Sequence, residues 1–97
     1  MTFHPEVSVI IPVFNPSKYI NQIHDSLANQ TFRKYEIIAV DDDHSEEFGK
    51  LQKRLEALSE NSKLRVVFLK TACRGSGPAI ARNLGLDRAS APKVSFF

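Results

Sequence analysis

Three consecutive carboxylates, Asp41-Asp42-Asp43, run directly into His44 and Ser45 and form the densest group of reactive side chains in the chain. Carboxylates beside an imidazole can ligate a hard cation, move protons, or accept hydrogen bonds from a polar ligand. The choice depends on where the backbone delivers them. They follow the apolar run Ile37-Ile38-Ala39-Val40 and precede a helical pattern, so they are predicted at the exit of a buried strand, on a sheet edge.

A second group is Gly75-Ser76-Gly77-Pro78, with Arg74 before it and Arg82 after it. Small residues ahead of a helix leave backbone N–H groups free to face an anion, and an arginine nearby adds positive charge. Alternatively, Arg82 and Asn83 simply brace the loop against the sheet. A nicotinamide-type fingerprint is not supported. Ile80 stands where its third glycine would fall, and the run follows the third strand rather than the first.

Four strands and three helices are predicted to carry these groups. Val7 to Phe14 is apolar almost throughout, the pattern of a strand covered on both faces, and Pro12 places the lapse of its pairing near its end. Asn15-Pro16 opens a first helix with Tyr19, Ile20, Ile23 and Leu27 on one face, reaching about Asn29. After the polar connection 30–34, Tyr35 to Val40 forms the second strand. Ser45 caps a second helix with Glu46 and Glu47 in its first turn and Phe48, Leu51, Leu55 and Leu58 inward; Ser59 to Lys63 is predicted as a polar turn. Arg65 to Leu69 is the third strand. A third helix from about Pro78 to Ala89 turns Ile80, Ala81, Leu84 and Ala89 inward, and Gly85 permits close approach to a neighbour. Val94 begins a fourth strand.

Strands alternating with helices imply right-handed crossovers and a mainly parallel sheet, giving an α/β fold built as a three-layer α/β/α sandwich with strand order 3-2-1-4. Ligands in such sheets bind beyond the carboxyl ends of the strands, where the strand order reverses. Both reactive groups should therefore sit at one edge.

The bulk composition excludes several classes. The 97 residues make one domain with a modest core, since a chain this size buries roughly two-thirds of its unfolded surface. Thirteen Lys and Arg against 11 Asp and Glu leave a formal charge of +2, which does not suggest nucleic acid. The single Cys73 allows no internal disulfide and fits a reducing compartment. No window approaches the ~20 apolar residues of a membrane span, and the first residues lack a targeting pattern. A cytoplasmic location is expected, with any attachment to the cytoplasmic face of a membrane left to other regions. The chain stops inside the apolar run Ser95-Phe96-Phe97. We therefore expect the amino-terminal part of a larger protein, cut after its fourth strand.

Three segments, taken in order and spacing, resemble the opening of a family 2 glycosyltransferase. They are Val7-Ser-Val-Ile-Ile-Pro-Val-Phe-Asn15; Ser26-Leu-Ala-Asn-Gln-Thr-Phe32 leading to Glu36-Ile-Ile-Ala-Val-Asp-Asp42; and Gly77-Pro-Ala-Ile-Ala-Arg-Asn-Leu-Gly85. The resemblance spans almost the whole chain. It implies the Rossmann-like half of a GT-A fold and inverting transfer of a sugar from a nucleotide diphosphate sugar, usually a UDP-sugar. The acceptor would be a saccharide or a lipid-linked molecule, as in cell-envelope polysaccharide synthesis.

The resemblance places the base at Val13, Phe14, Asn15 and Asp42, with Asp41 bracing the turn. Gly75, Gly77 and Arg82 remain the residues that could face the diphosphate. It also implies a divalent cation, Mg or Mn, held by an Asp-x-Asp pair after the fourth strand. Asp41-x-Asp43 has the same spelling but follows the second strand, so no metal ligand and no catalytic base are assigned in this chain. Where the family carries Gly-Ser-Thr or a similar small run after the acidic pair, this chain has Asp43-His44-Ser45. A carboxylate and an imidazole there would narrow the base pocket or change its preference.

Two other readings belong to different classes. A phosphorylation-controlled receiver domain also begins with an acidic strand end, but it needs an acceptor aspartate at a later strand end. The only later one, Asp87, falls in a predicted helix. A non-catalytic remnant that keeps the sheet as a binding or interaction domain is the other.

Overall fold

A computed structural model describes residues 4–18, 20–29, 34–62 and 64–97. Tyr19, the connecting residues 30–33 and Lys63 fall outside them. In chain order the elements are β1 (Val7–Val13), a short 3-10 turn (Pro16–Lys18), α1 (Ile20–Ala28), β2 (Tyr35–Asp41), α2 (Glu46–Ser62), β3 (Arg65–Lys70), α3 (Pro78–Arg88) and β4 (Lys93–Phe96).

The sheet has the order β3-β2-β1-β4, and every pairing is parallel. In register, Val13 stands opposite Asp41 and Asp41 opposite Lys70, so β1, β2 and β3 end level with one another. β4 pairs with β1 only as far as Ile10. Pro12, two residues on, therefore costs no ladder bond to β4.

Alternate residues of β2 serve opposite layers, which explains its unbroken apolar run. Ile37 and Ala39 join Ile11, Val13, Ile23, Leu51 and Leu55 beneath α1 and α2. Ile38 and Val40 join Ile10 and Ala81 beneath α3. Each buried Ile or Leu contributes about 1.5–3 kcal/mol relative to exposure. The two-sided core thus holds the strand ends in place.

Two boundaries and one buried face differ from expectation. Asn15 adopts a left-handed conformation, φ 49°, and is followed by a 3-10 turn, where a regular cap of the first helix was expected. The predicted turn at Ser59 is instead the last part of α2, whose polar residues suit an exposed helix; Ser59 Oγ donates to the Leu64 carbonyl. Ile80 is 55% exposed rather than inward. Ala81 and Gly85, four residues apart, make the buried stripe of α3, and Ile80 lies about 100° around the helix from Ala81.

Gly85 does permit close approach. A Cβ there would lie 2.6 Å from Cγ2 of the fully buried Ile10.

The opposite end of the sheet carries an unexpected buried charge. Glu36 is 0% exposed and accepts hydrogen bonds from Ser8 Oγ (2.6 Å), Ser90 N (2.8 Å) and Ser90 Oγ (2.9 Å). Ala91 N donates to Ser8 Oγ at 3.1 Å, so this cluster anchors the connection from α3 to β4. Burial raises the Glu36 carboxyl pKa, but the serine donors and the Arg65 charge bring it below the ordinary 4.5. Among the described residues no helix is long and apolar enough to cross a membrane.

Candidate functional site

The level ends of β1, β2 and β3 bring both reactive groups to one edge of the sheet. Each of the three carboxylates has a separate task there, set by the backbone around it.

Asp41 Oδ1 accepts the N–H groups of Asp43 (2.9 Å) and His44 (2.8 Å), closing a turn on its own backbone. This is the local behaviour expected of aspartate at a strand exit. His44 consequently takes a left-handed conformation, φ 55°.

Asp42 is 3% exposed and gathers the loop that follows β3. Its Oδ1 accepts Thr71 Oγ1 (2.7 Å) and Ser76 N (2.8 Å), and its Oδ2 accepts Gly77 N (3.0 Å). Its own N–H donates to the Val13 carbonyl and its carbonyl accepts Gly75 N, both at 2.9 Å. Desolvation raises the Asp42 carboxyl pKa, yet the donors from Thr71, Gly77 and Ser76, with the His44 charge, hold it below the ordinary 3.8. Asp42 is therefore an anion at neutral pH.

Asp43 ties β1 to the acidic turn. Its Oδ1 accepts Asn15 N (3.0 Å) and faces Arg74 Nη2 (3.4 Å), and its Oδ2 accepts the Ser45 hydroxyl. Burial raises its carboxyl pKa as well, and Ser45, Asn15 and Arg74 together lower it below 3.8. Ser45 in turn accepts Glu47 N at 3.3 Å, the helix cap expected from sequence.

A cleft of about 460 Å³ opens beside this edge, lined by Pro12, Val13, Phe14, Asp42, Gly75, Gly77, Pro78, Arg82 and Phe97. Six of the eight expected site residues meet there: Val13, Phe14, Asp42, Gly75, Gly77 and Arg82. Asn15 and Asp41 do not line it: the N–H of Asn15 is held by Asp43, and the Asp41 carboxylate closes the acidic turn. Arg74 Cζ lies 4.7 Å from the centroid of the Phe14 ring, and Arg82 Cζ lies 5.8 Å from that of Phe96. Gly75 leaves room for this: a Cβ there would be 3.4 Å from Phe14 Cε1. Gly77, φ 106°, closes the loop into α3, with Pro78 in the first turn.

Thr71 was not foreseen as a support of Asp42. Thr71 follows Lys70, the register partner of Asp41, so its place beside Asp42 could be found only once β3 was known to pair with β2.

The cleft can do specific chemistry. An ionised carboxylate offers about four acceptor directions, and three on Asp42 are taken, which leaves capacity for one further donor. Phe14 and the prolines give apolar walls, and Arg82 gives a cation. Together these suit a flat heterocycle bearing an N–H, attached to an anion.

A divalent cation does not fit the acidic turn. Oδ1 of Asp41 and both oxygens of Asp43 accept N–H and O–H donors of the protein itself, which occupy most of the positions cation ligation would need. Among the described residues no group of three or more His, Cys, Asp or Glu side chains is placed to hold a metal ion.

The chain is 32% identical over 96 residues to an uncharacterized glycosyltransferase of Haemophilus influenzae, covering 95% of this chain and 35% of that protein. It is 35% identical over 92 residues to the putative teichuronic acid biosynthesis glycosyltransferase TuaG of Bacillus subtilis, covering 95% of this chain and 34% of TuaG. It therefore spans about a third of the length of these relatives. The crystal structure of Staphylococcus aureus TarS 1-349 in complex with UDP superposes with a TM-score of 0.77 at 32% identity, covering 95% of this chain and 26% of that one. The three-layer sandwich is thus the GT-A architecture. With the sequence model of glycosyl transferase family 2 matching residues 8–97, the chain belongs to that family.

Proposed function

We propose that this chain forms the nucleotide-binding part of a glycosyltransferase that moves a sugar, with inversion, from a uridine diphosphate sugar to an acceptor. The observation that carries the reading is Asp42: a buried anion on the cleft wall with capacity for one more donor. The imide N–H of uracil is such a donor, and a charge-assisted bond of about 1.5–3 kcal/mol would orient the base. Val13 and Phe14 would flank the ring, with Asn15 holding the loop behind it. Gly75, Gly77 and Arg82 would face the diphosphate, the glycines by close backbone approach and the arginine by charge.

UDP as the nucleotide is supported by the structure of TarS 1-349 in complex with UDP, a quarter of which this chain matches. A divalent cation beside the diphosphate belongs to the same reading, but Asp41 and Asp43 would not be its ligands.

Titrating the protein with uridine diphosphate and adenosine diphosphate while following amide shifts tests the assignment. Shifts should cluster at Val13 to Asn15 and at Asp41 to Ser45, with tighter binding of the uridine nucleotide. Asp42→Ala should remove that preference. Equal affinities, or shifts elsewhere, would overturn it.

A further inference from the structure

His44 is the acidic turn's one side chain that the base pocket does not account for. It occupies a left-handed backbone position, φ 55°, which a side chain disfavours and glycine accepts freely. Its Nε2 lies 3.1 Å from Thr71 Oγ1, and that oxygen lies 2.7 Å from Asp42 Oδ1. Thr71 is buried, and its hydroxyl also has two carbonyls in range, Cys73 O at 3.0 Å and Asp41 O at 3.3 Å.

A threonine hydroxyl has one proton and two lone pairs. Of the four groups around Thr71 Oγ1, a carboxylate and two carbonyls can only accept. His44 alone can donate, through Nε2. If it does, the Thr71 proton goes to Asp42, the nearest acceptor and the charged one. A bare Nε2 would instead compete for that proton.

The consequence falls on the cleft. With Thr71 and Ser76 N both donating to Oδ1, that oxygen is filled, and the remaining acceptor direction of Asp42 lies on Oδ2 beside the Gly77 N–H. Without the Thr71 proton, Oδ1 regains an open lone pair and the carboxylate loses one of its three restraints. That lone pair faces Thr71, which is buried outside the cleft lining, so the effect reaches the cleft through the loosened carboxylate.

We propose that His44 is a positioning residue: by donating to Thr71 it keeps the threonine proton on Asp42, and so fixes the acceptor that selects the base. This rests on the reading of Asp42 as the base-recognition residue, but the relay itself can be measured without nucleotide.

The first measurement is made on the free protein. Imidazole nitrogen shifts should show His44 protonated at Nε2. The amides of Ser76 and Gly77, which donate to Asp42, should move in Thr71→Val, which removes the proton, and in His44→Gly, which leaves the Thr71 hydroxyl without its fixing donor and free to turn toward the Cys73 or Asp41 carbonyl. They should return in His44→Gln, which restores an N–H at similar reach, and in Thr71→Ser. Glycine is compatible with the left-handed backbone, so His44→Gly deletes the side chain without straining the turn.

The second measurement is the ratio of uridine to adenosine diphosphate affinity. It should fall about threefold to tenfold in His44→Gly and Thr71→Val, the weight of one hydrogen bond, and recover to within about twofold in the two conservative variants. A bare Nε2, or Ser76 and Gly77 amides indifferent to His44→Gly, would overturn the relay. Equal affinity of the unaltered protein for both nucleotides would overturn the base assignment and leave the amide measurement to decide the relay alone.

Discussion

The backbone N–H of Asn15 points at Oδ1 of Asp43, 3.0 Å away, so a side chain as well as the sheet joins the exit of β1 to the exit of β2. The bond matters because Phe14, on the cleft wall, immediately precedes that N–H. Asp43→Ala would leave the Asn15 donor and the Ser45 hydroxyl without their acceptor. We expect a loss of about 1–3 kcal/mol in urea unfolding and weaker binding of uridine diphosphate. An unchanged unfolding midpoint would mean that the tie carries no weight.

Gly77 presents its N–H to Asp42 at φ 106°, a conformation essentially confined to glycine. Gly77→Ala should cost about 1–3 kcal/mol and pull the N–H away from the carboxylate. The Gly77 contact would be lost while Thr71 still donates. Amide shifts confined to the loop 71–77 and the start of α3, together with reduced nucleotide affinity, are the expected signature.

Gly85→Ala tests how α3 sits on the sheet. Its new Cβ would meet Ile10 Cγ2 at 2.6 Å, and a β-branched side chain with no exposure has nowhere to turn. Overpacking should cost about 1–3 kcal/mol. Because the clash is with one residue, Ile10→Ala in the same protein should recover part of the loss. Strictly additive losses in that double-mutant cycle would contradict the contact.

Acid should weaken the fold through Glu36, Asp42 and Asp43, whose folded carboxyls all lie below their ordinary values of 4.5, 3.8 and 3.8. A depressed carboxyl adds stability that is fully present above its unfolded pKa and is lost as pH falls through the folded one. Their contribution is therefore intact at neutral pH and declines below about pH 4.5. Glu36→Gln removes one of the three. It should destabilise the protein at pH 7 by about 1–3 kcal/mol, since a buried amide N–H₂ replaces an oxygen facing Arg65, and it should flatten the acid limb. An acid limb of unchanged slope would remove Glu36 from the account. Nucleotide binding should stay within about twofold, as the Glu36 cluster lies at the other end of the sheet.

The fold was legible because its signals are local and repeated. Runs such as Ile37 to Val40 and the stripe Phe48, Leu51, Leu55 and Leu58 state strand and helix by periodicity, and their alternation implies a parallel sheet. Ser45 announced a cap because capping is settled within a few residues. Boundaries were less legible where small energies compete: the end of α2 at Ser62 and the 3-10 turn after Asn15 are choices among nearly equal local conformations.

The sequence by itself determined that acidic, glycine-rich and arginine groups meet at one sheet edge, and which family they resemble. Residue types alone could not divide the labour among three adjacent carboxylates, since Asp41, Asp42 and Asp43 look alike in a string; only the family resemblance assigned Asp42 to the base and Asp41 to the turn, and it left the partners of all three unnamed. Tertiary structure decided that, because each oxygen takes the donor nearest in space: Asp41 its own turn, Asp42 the loop from Thr71 to Gly77, and Asp43 the N–H of Asn15. It also decided that Glu36, an unremarked letter in a strand, is a buried anchor, and that His44 reaches Asp42 through a threonine 27 residues away. Hydrogen bonds between distant segments exist only once the sheet order has brought the strands together, and no local pattern encodes them.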